Sequence, residues 1–401
     1  MPPDVGLAAV RRGRSTVVGV DPADVLVATG HDAFRALDGL APGFWVGWCS
    51  FELGHASEQV VPRGASLDPA VVPDVVFARF DAVAVVDTAG AVSVRGDGPG
   101  RHRLERAARE LTGHGCEGPI ASGEWRSSLD HDAWCARVDA VLDLLRAGEC
   151  YQVNLTRRLT CDRALDPVAL YRALAFGNPA PYPALISLPD LADGTAVVSA
   201  SPESFLHRRG RAVETRPIKG TAATRTALRG SAKDHAENVM IVDLARNDLG
   251  RVCTPGSIRV PSLCAVESHP GLHHLVSTVR GRLRDDVGTG RLLEATFPPA
   301  SVTGAPKPRV LQAIEDLEPV RRGVYCGALG WIDTAARAAE LAVAIRTFTV
   351  LGSRSAGCTQ LGVGGGIVAD SRPAAEWDET ELKARRLLQV AGAGTAALVA
   401  S

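Results

Sequence analysis

Two pairs of acids raise the question of chemistry first. "KDHAENVMIVDL" sets Asp234 and Glu237 three residues apart on one helix face, and "EWDETELKARR" does the same with Glu376 and Glu379. Carboxylates packed that closely repel unless a cation lies between them. Ligands of this kind, all oxygen, suit Mg²⁺, which keeps some waters and also binds substrate oxygens. Each helix alone also has a plainer reading. First-turn acids complement the helix dipole, and Glu379 with Lys383 is an ordinary i,i+4 pair.

A lysine is the next candidate. "TRPIKGTAATR" (215–225) carries Lys219 in a chain where lysine is scarce. It is either a solvated turn cation or an amine aimed at a substrate. "AVVSASPESFLHRRGRAVETRP" reads as two strands folded about Arg209-Gly210. That hairpin puts Glu203 opposite about Arg216 and within about 10 Å of Lys219. Pro217 has no ladder donor, so strand parity leaves the face of Lys219 open.

Weaker signals follow. "GVGGGIV" (362–368) reads as a glycine-rich turn or bulge, or as backbone that approaches an anion closely. It is not a dinucleotide fingerprint, because it opens no helix and Ile367 takes the last glycine position. "SVTGAPKPR" (301–309) places Ser301, Thr303 and Gly304 before a helix whose N-terminus could take a carboxylate. The alternative there is an N-cap followed by a solvated Lys307. Arg346, in the apolar run "LAVAIRTF", pairs with Tyr325 as a candidate site. A buried arginine wants a carboxylate, from a substrate or from the protein.

The elements that must position these groups are mostly strands. "FWVGWCSFEL" and "VVFARFDAVAVVD" are β-rich, and "DTAGAVSV" contains a hairpin turn. "CYQVNLTRRLTC" alternates as a half-buried strand from Tyr151. Trp134, Val138, Val141, Leu142 and Leu145 mark a helix that stops before Gly148. Another helix covers about 231–249, closed by Gly250, and the last starts near Pro373. Strands outnumber helices and hairpins outnumber crossovers, so the class is α+β with large antiparallel sheets. A strand-rich N-terminal region, 1–120, is expected to pack on a larger domain, 125–395, after a Gly/Pro/Ser stretch that serves as linker.

The bulk numbers exclude several functions. In 401 residues, 44 Lys+Arg balance 45 Asp+Glu, so no basic surplus points to nucleic acid. No apolar run is long enough to span a bilayer. The nine cysteines are scattered without a C-x-x-C pair and read as reduced, cytoplasmic thiols.

The motifs "YQVNL", "SPESFL", "RPIKGT", "AENVMIVDLARNDLGRV", "HHLVSTVRG", "FPPASVTGAPK", "RGVYCGALGWI", "AIRTF", "GVGGGIVADS" and "AEWDETELKA" occur in one order over about 130–390. In this the chain resembles the chorismate-utilising enzymes, and within them the aminodeoxychorismate synthase component I branch of p-aminobenzoate and folate synthesis. The resemblance implies a four-layer α/β/β/α sandwich. It implies Mg²⁺ held by Glu237 and Glu376, with Glu379 and Asp234 direct or through water; many relatives carry Glu at the Asp234 position. It implies Glu203 as general acid, and His274, Ser301 and Lys383 near the ring carboxylate. Tyr325, Arg346, Gly364 and Gly365 match the enolpyruvyl carboxylate site, while Gln152, Thr221 and Gly304 complete the substrate-binding set.

Two positions separate the branches of that family. Isochorismate and salicylate formers carry a water-activating lysine where this chain has Gln152, which is no base. Anthranilate synthases read "PIAGT" where this chain reads "PIKGT". The resemblance therefore implies amination of chorismate at ring carbon 4, with Lys219 as nucleophile. No glutaminase motif is present, so ammonia is expected from a separate glutamine amidotransferase subunit. The rivals are an anthranilate or 2-amino-2-deoxyisochorismate synthase and a non-catalytic member of the fold.

Overall fold

Runs rich in Val, Ile, Leu and aromatic residues form the strands, and they pair almost wholly antiparallel. The computed structural model describes residues 5–62, 72–110, 120, 122–191, 194–222, 224–269, 272–353, 356–393 and 398–399, without the side chains of 221, 269, 272, 398 and 399. The stretch expected to act as linker lies largely outside the described residues.

Two sheets of 12 and 10 strands build the molecule. In the first, Gln152–Cys161, Ala356–Ile367, Thr347–Ser353, Thr195–Ser201 and Tyr182–Leu188 lie side by side. The second runs from Ile218–Ala222 through Leu272–Arg282, Ala212–Arg216, Ser204–Arg209 and Ala338–Val343 to Ala328–Asp333. The N-terminal segment enters both: Leu7–Arg12 pairs with Tyr182–Leu188, and Phe44–Cys49 pairs with Ala328–Asp333. One core lies between the sheets, around Val10, Trp48, Val76, Ile186 and Val197. Two more join each sheet to helices. Leu170, Leu174 and Leu387 pack with Phe348 and Leu361, and Val242, Leu292 and Leu311 pack with Leu206, Val279 and Leu341.

Helix starts follow their capping chemistry. Asp130 accepts from Ala133 N ahead of His131–Arg146, Asp166 caps Pro167–Gly177, and Pro373 opens Pro373–Val390. Trp134 is wholly buried on the first of these; truncating it to Ala would cost about 3–5 kcal/mol.

The structure departs from the sequence reading at five places. Gly250 lies inside the helix Ala232–Gly250, and Arg251 caps it. "GVGGGIV" is no turn: its glycines run through the strand Ala356–Ile367, where bare backbone lets side chains approach. Tyr151 lies outside the strand Gln152–Cys161, which is buried along nearly all its length because layers cover both its faces. The hairpin turns at Gly210-Arg211, and a bulge shifts the register so that Ser204 rather than Glu203 faces Arg216. Arg346 leaves the strands, with a left-handed φ of 51° between Ala338–Val343 and Thr347–Ser353.

Candidate active site

The strand Ile218–Ala222 carries Lys219, and local backbone decides where its amine goes. The ladder to Leu272–Arg282 pairs Lys219 with Leu275 and then slips by a bulge before Thr221. Gly220 sits in that bulge at φ 72°, a conformation glycine adopts without strain. Its missing side chain also matters: a Cβ there would lie 2.8 Å from Asp234 Cγ, so the acid helix can approach the strand. Asn238, buried on that helix, donates to Leu275 O at 3.2 Å and locks the helix to the strand beside Lys219. The face left open by Pro217 is thereby fixed. Lys219 Nζ points inward, 3.3 Å from Ser301 O and 4.0 Å from Glu237 Oε2.

Glu203 approaches the same point from the two-residue link between Thr195–Ser201 and Ser204–Arg209. It is buried, and Ile218 N donates to its Oε1 at 3.5 Å. Burial pushes its pKa up to about 7, against the pull of the Ser301 hydrogen bond, Lys219 and the Ile218 amide. Burial also lowers the pKa of Lys219, opposed by Glu237 and Glu203. A carboxyl that keeps its proton near neutrality and an amine that sheds its proton more readily are an acid and a nucleophile side by side.

Four lysines occur in the chain, and three of them stand among the acids. Lys219 lies near Glu237; Lys233 Nζ is 3.9 Å from the other oxygen of Glu237; Lys383 is 2.6 Å from Glu379 Oε1 and donates to Gly364 O at 2.8 Å. Burial raises the pKa of Glu376, which also accepts from Ser371 Oγ at 2.6 Å. Burial works on Glu379 too, but Lys383, Lys233 and Lys219 outweigh it and hold its carboxyl low. Lys233 and Ser371 were not singled out in the sequence; the spacing of Lys233 to Glu237 was the available signal. Among the described residues, no three Asp, Glu, His or Cys side chains converge at ligand distance. The donor chemistry nonetheless fits a hard divalent ion, since carboxylates from two helices already gather ammonium groups around them.

The glycine strand divides two groups of side chains. A Cβ on Gly365 would lie 3.2 Å from Glu376 Oε2, 3.9 Å from Glu379 Oε1 and 4.0 Å from Lys383 Nζ. One on Gly366 would lie 2.8 Å from Gln152 Nε2 and 3.6 Å from Lys219 Nζ. Successive positions face opposite sides of a sheet, so only bare backbone separates the two groups. Gly364 runs against Leu155 O, and Gly304, at φ 130°, against Gln152 O.

The remaining candidates lie around this centre. The Tyr325 ring covers Gly362, two glycines along the strand, and burial raises its pKa well above the usual phenol value. Burial lowers the pKa of Arg346, with no carboxylate among the described residues to oppose it. His274 is buried and faces Thr221 in the ladder; the Thr221 side chain is not among those described. Lys307, expected as a possible solvated cation, is instead buried in an ion pair with Asp248 at 2.7 Å.

Comparison with known proteins agrees with this geometry. Residues 15–389 match the family model described as chorismate binding enzyme. The chain is similar to aminodeoxychorismate synthase component 1 of Klebsiella aerogenes, 43% identical over 66% of this chain and 59% of that protein, so it spans less than two thirds of that relative. It is 37% identical to aminodeoxychorismate synthase component 1 of Salmonella typhimurium, over 86% of this chain and 75% of the relative. Among solved structures, anthranilate synthase component I from Streptococcus pneumoniae superposes with a TM-score of 0.80 at 26% identity, covering 94% of this chain and 92% of that one. A sandwich of two antiparallel sheets, with acids on two helices around a largely buried lysine, thus sits within a match covering nearly the whole chain: the protein belongs to the chorismate binding enzyme family.

Proposed function

We propose that the protein aminates chorismate at ring carbon 4, forming 4-amino-4-deoxychorismate from ammonia. The observation that carries this reading is the largely buried Lys219 amine beside Glu203, 4.0 Å from Glu237 Oε2. Lys219, neutral, adds to ring carbon 2. The ring double bond shifts and the carbon 4–oxygen bond breaks, with Glu203 giving the proton that releases water. The proton left on the Lys219 nitrogen returns to Glu203. Ammonia then bonds to carbon 4, the double bond shifts back, and Lys219 leaves carbon 2 with its electron pair, taking the proton that the new ammonium group gives up. Glu237, Glu376 and Glu379, with Asp234, would hold Mg²⁺, whose charge would neutralise the ring carboxylate. Arg346 and Tyr325 are assigned to the enolpyruvyl carboxylate.

Ammonia comes, in this reading, from a separate glutamine amidotransferase subunit, in keeping with relatives named component 1. The product supplies p-aminobenzoate after a separate lyase removes pyruvate. The rival is amination at carbon 2, as the name of the structurally similar anthranilate synthase component I suggests; Lys219 disfavours it. The test is to give the purified chain chorismate, Mg²⁺ and ammonium, with and without aminodeoxychorismate lyase. p-Aminobenzoate that requires the lyase supports the proposal. Anthranilate formed without the lyase contradicts it.

A further inference from the structure

A cavity opens beside Glu203 and Ser301, walled mostly by apolar side chains such as Phe205, Ile241, Ala245, Leu249 and Pro299. It leaves room of about 30 Å³, where about 10–15 Å³ suffices for one water molecule. A small neutral molecule fits; the substrate does not. Most polar groups on the wall are already engaged. The Ser301 hydroxyl bonds Glu203, the Ser204 hydroxyl bonds Tyr182, Thr296 Oγ1 donates to Leu292 O at 2.8 Å, and Asp248 holds Lys307. Thr215 is the exception: its hydroxyl makes no hydrogen bond to another described residue. Thr215 stands two positions after Val213, so it shares the strand face that packs under the helix Ala232–Gly250. The cavity therefore offers one unspent hydroxyl and one carboxyl in otherwise apolar walls.

We propose that this cavity takes up the water that leaves carbon 4. This rests on the carbon-4 amination proposed above. When the carbon 4–oxygen bond breaks, both electrons go with the oxygen, and the proton from Glu203 completes a water molecule. That water forms against Glu203, which lines the cavity. Left in place, it stands where ammonia must arrive, and its lone pair re-forms the bond just broken. One step into the cavity removes it. There the Thr215 hydroxyl accepts one O–H, and Glu203, now a carboxylate, accepts the other. The proton on the Lys219 nitrogen then returns to Glu203, so atoms and charge balance without a further reactant. Thr215 is a positioning residue, since it holds the departed water and touches no reacting carbon.

The test uses the intact chain with chorismate, Mg²⁺ and ammonium chloride. It compares wild type with Thr215→Val, Thr215→Ser and Ala245→Leu. Valine keeps the shape of threonine without the hydroxyl, serine keeps the hydroxyl, and leucine at 245 fills the cavity from the helix. Losing one hydrogen bond to the departing water lowers kcat about tenfold in Thr215→Val at saturating ammonium, and filling the cavity lowers it at least as much. The KM values for ammonia and chorismate stay within about twofold, and Thr215→Ser keeps kcat within about twofold of wild type. An unchanged kcat in Thr215→Val overturns the proposal. So does an equal loss in Thr215→Ser, which would make Thr215 a packing residue. A raised ammonia KM in Ala245→Leu overturns it as well, because the cavity would then admit ammonia rather than receive water. A wild-type chain that makes no carbon-4 amine would instead overturn the underlying reading.

Discussion

Lys219, largely buried, and Lys307, fully buried, are two lysines under opposite treatment. Lys307 Nζ has Asp248 at 2.7 Å and Thr296 O at 2.8 Å, so its charge is met on two sides. Lys219 has one carbonyl at 3.3 Å and its nearest carboxylate at 4.0 Å. Arg322 extends the first pattern: it is buried, bonded to both Glu318 oxygens, and lies 4.2 Å from the Phe51 ring centroid. The protein pairs a buried cation closely where the role is structural. At Lys219 it leaves the amine poorly paired, and burial then lowers its pKa. Poor pairing of a buried charge weakens the fold, and its presence is what marks the reactive centre.

Several substitutions would break or sharpen that contrast. After loss of Lys219 itself, the largest effect is expected from Glu203→Gln, which keeps the shape but removes the acid. Amination should slow by about 10²–10⁴ in kcat, measured under saturating ammonium. Next is Lys307→Met, which leaves the buried Asp248 only Arg251 at 3.5 Å and should destabilise the chain by about 3 kcal/mol in urea unfolding. Lys219→Met should cost far less in the same experiment; an equal loss would erase the distinction between the two lysines.

A pH series probes the acid directly. Folding raises the pKa of Glu203 from its ordinary 4.5 to about 7, so the native state holds the proton more tightly than the unfolded chain. Its contribution to stability is full below about 4.5 and is lost as pH rises through about 7. Glu203→Gln should therefore gain stability relative to wild type between pH 5 and pH 8, by about 1–3 kcal/mol. A constant difference across that range would show that burial does not hold the proton. The smallest effect belongs to Lys233→Gln: this half-exposed i,i+4 partner of Glu237 should shift stability by no more than about 0.5 kcal/mol.

The order of motifs in the sequence already carried the family and the class of fold. Periodicity located the helices because their caps are local: Asp130, Asp166 and Pro373 act within a few residues. Register was less accessible. The bulge beyond Ser204 and the one at Gly220 depend on partners far along the chain, so the hairpin reading misses the partner of Arg216 by one residue and leaves the face of Lys219 open. The glycine run misled for a related reason. Glycine usually marks a turn, whereas here the crowding of Tyr325, Gln152, Lys219 and Glu376 around a strand requires it. Lys307 looked like a surface cation because its partner, Asp248, lies 59 residues away.

The central claim is that Lys219 decides the product. The direct measurement compares wild type and Lys219→Ala with chorismate, Mg²⁺ and ammonium, separating amines at carbon 4 and carbon 2 chromatographically and weighing the intact protein during turnover. The account predicts a Lys219-linked substrate adduct and a carbon-4 amine in wild type, and neither in Lys219→Ala. A Lys219→Ala chain that forms the carbon-4 amine at the wild-type rate would contradict it.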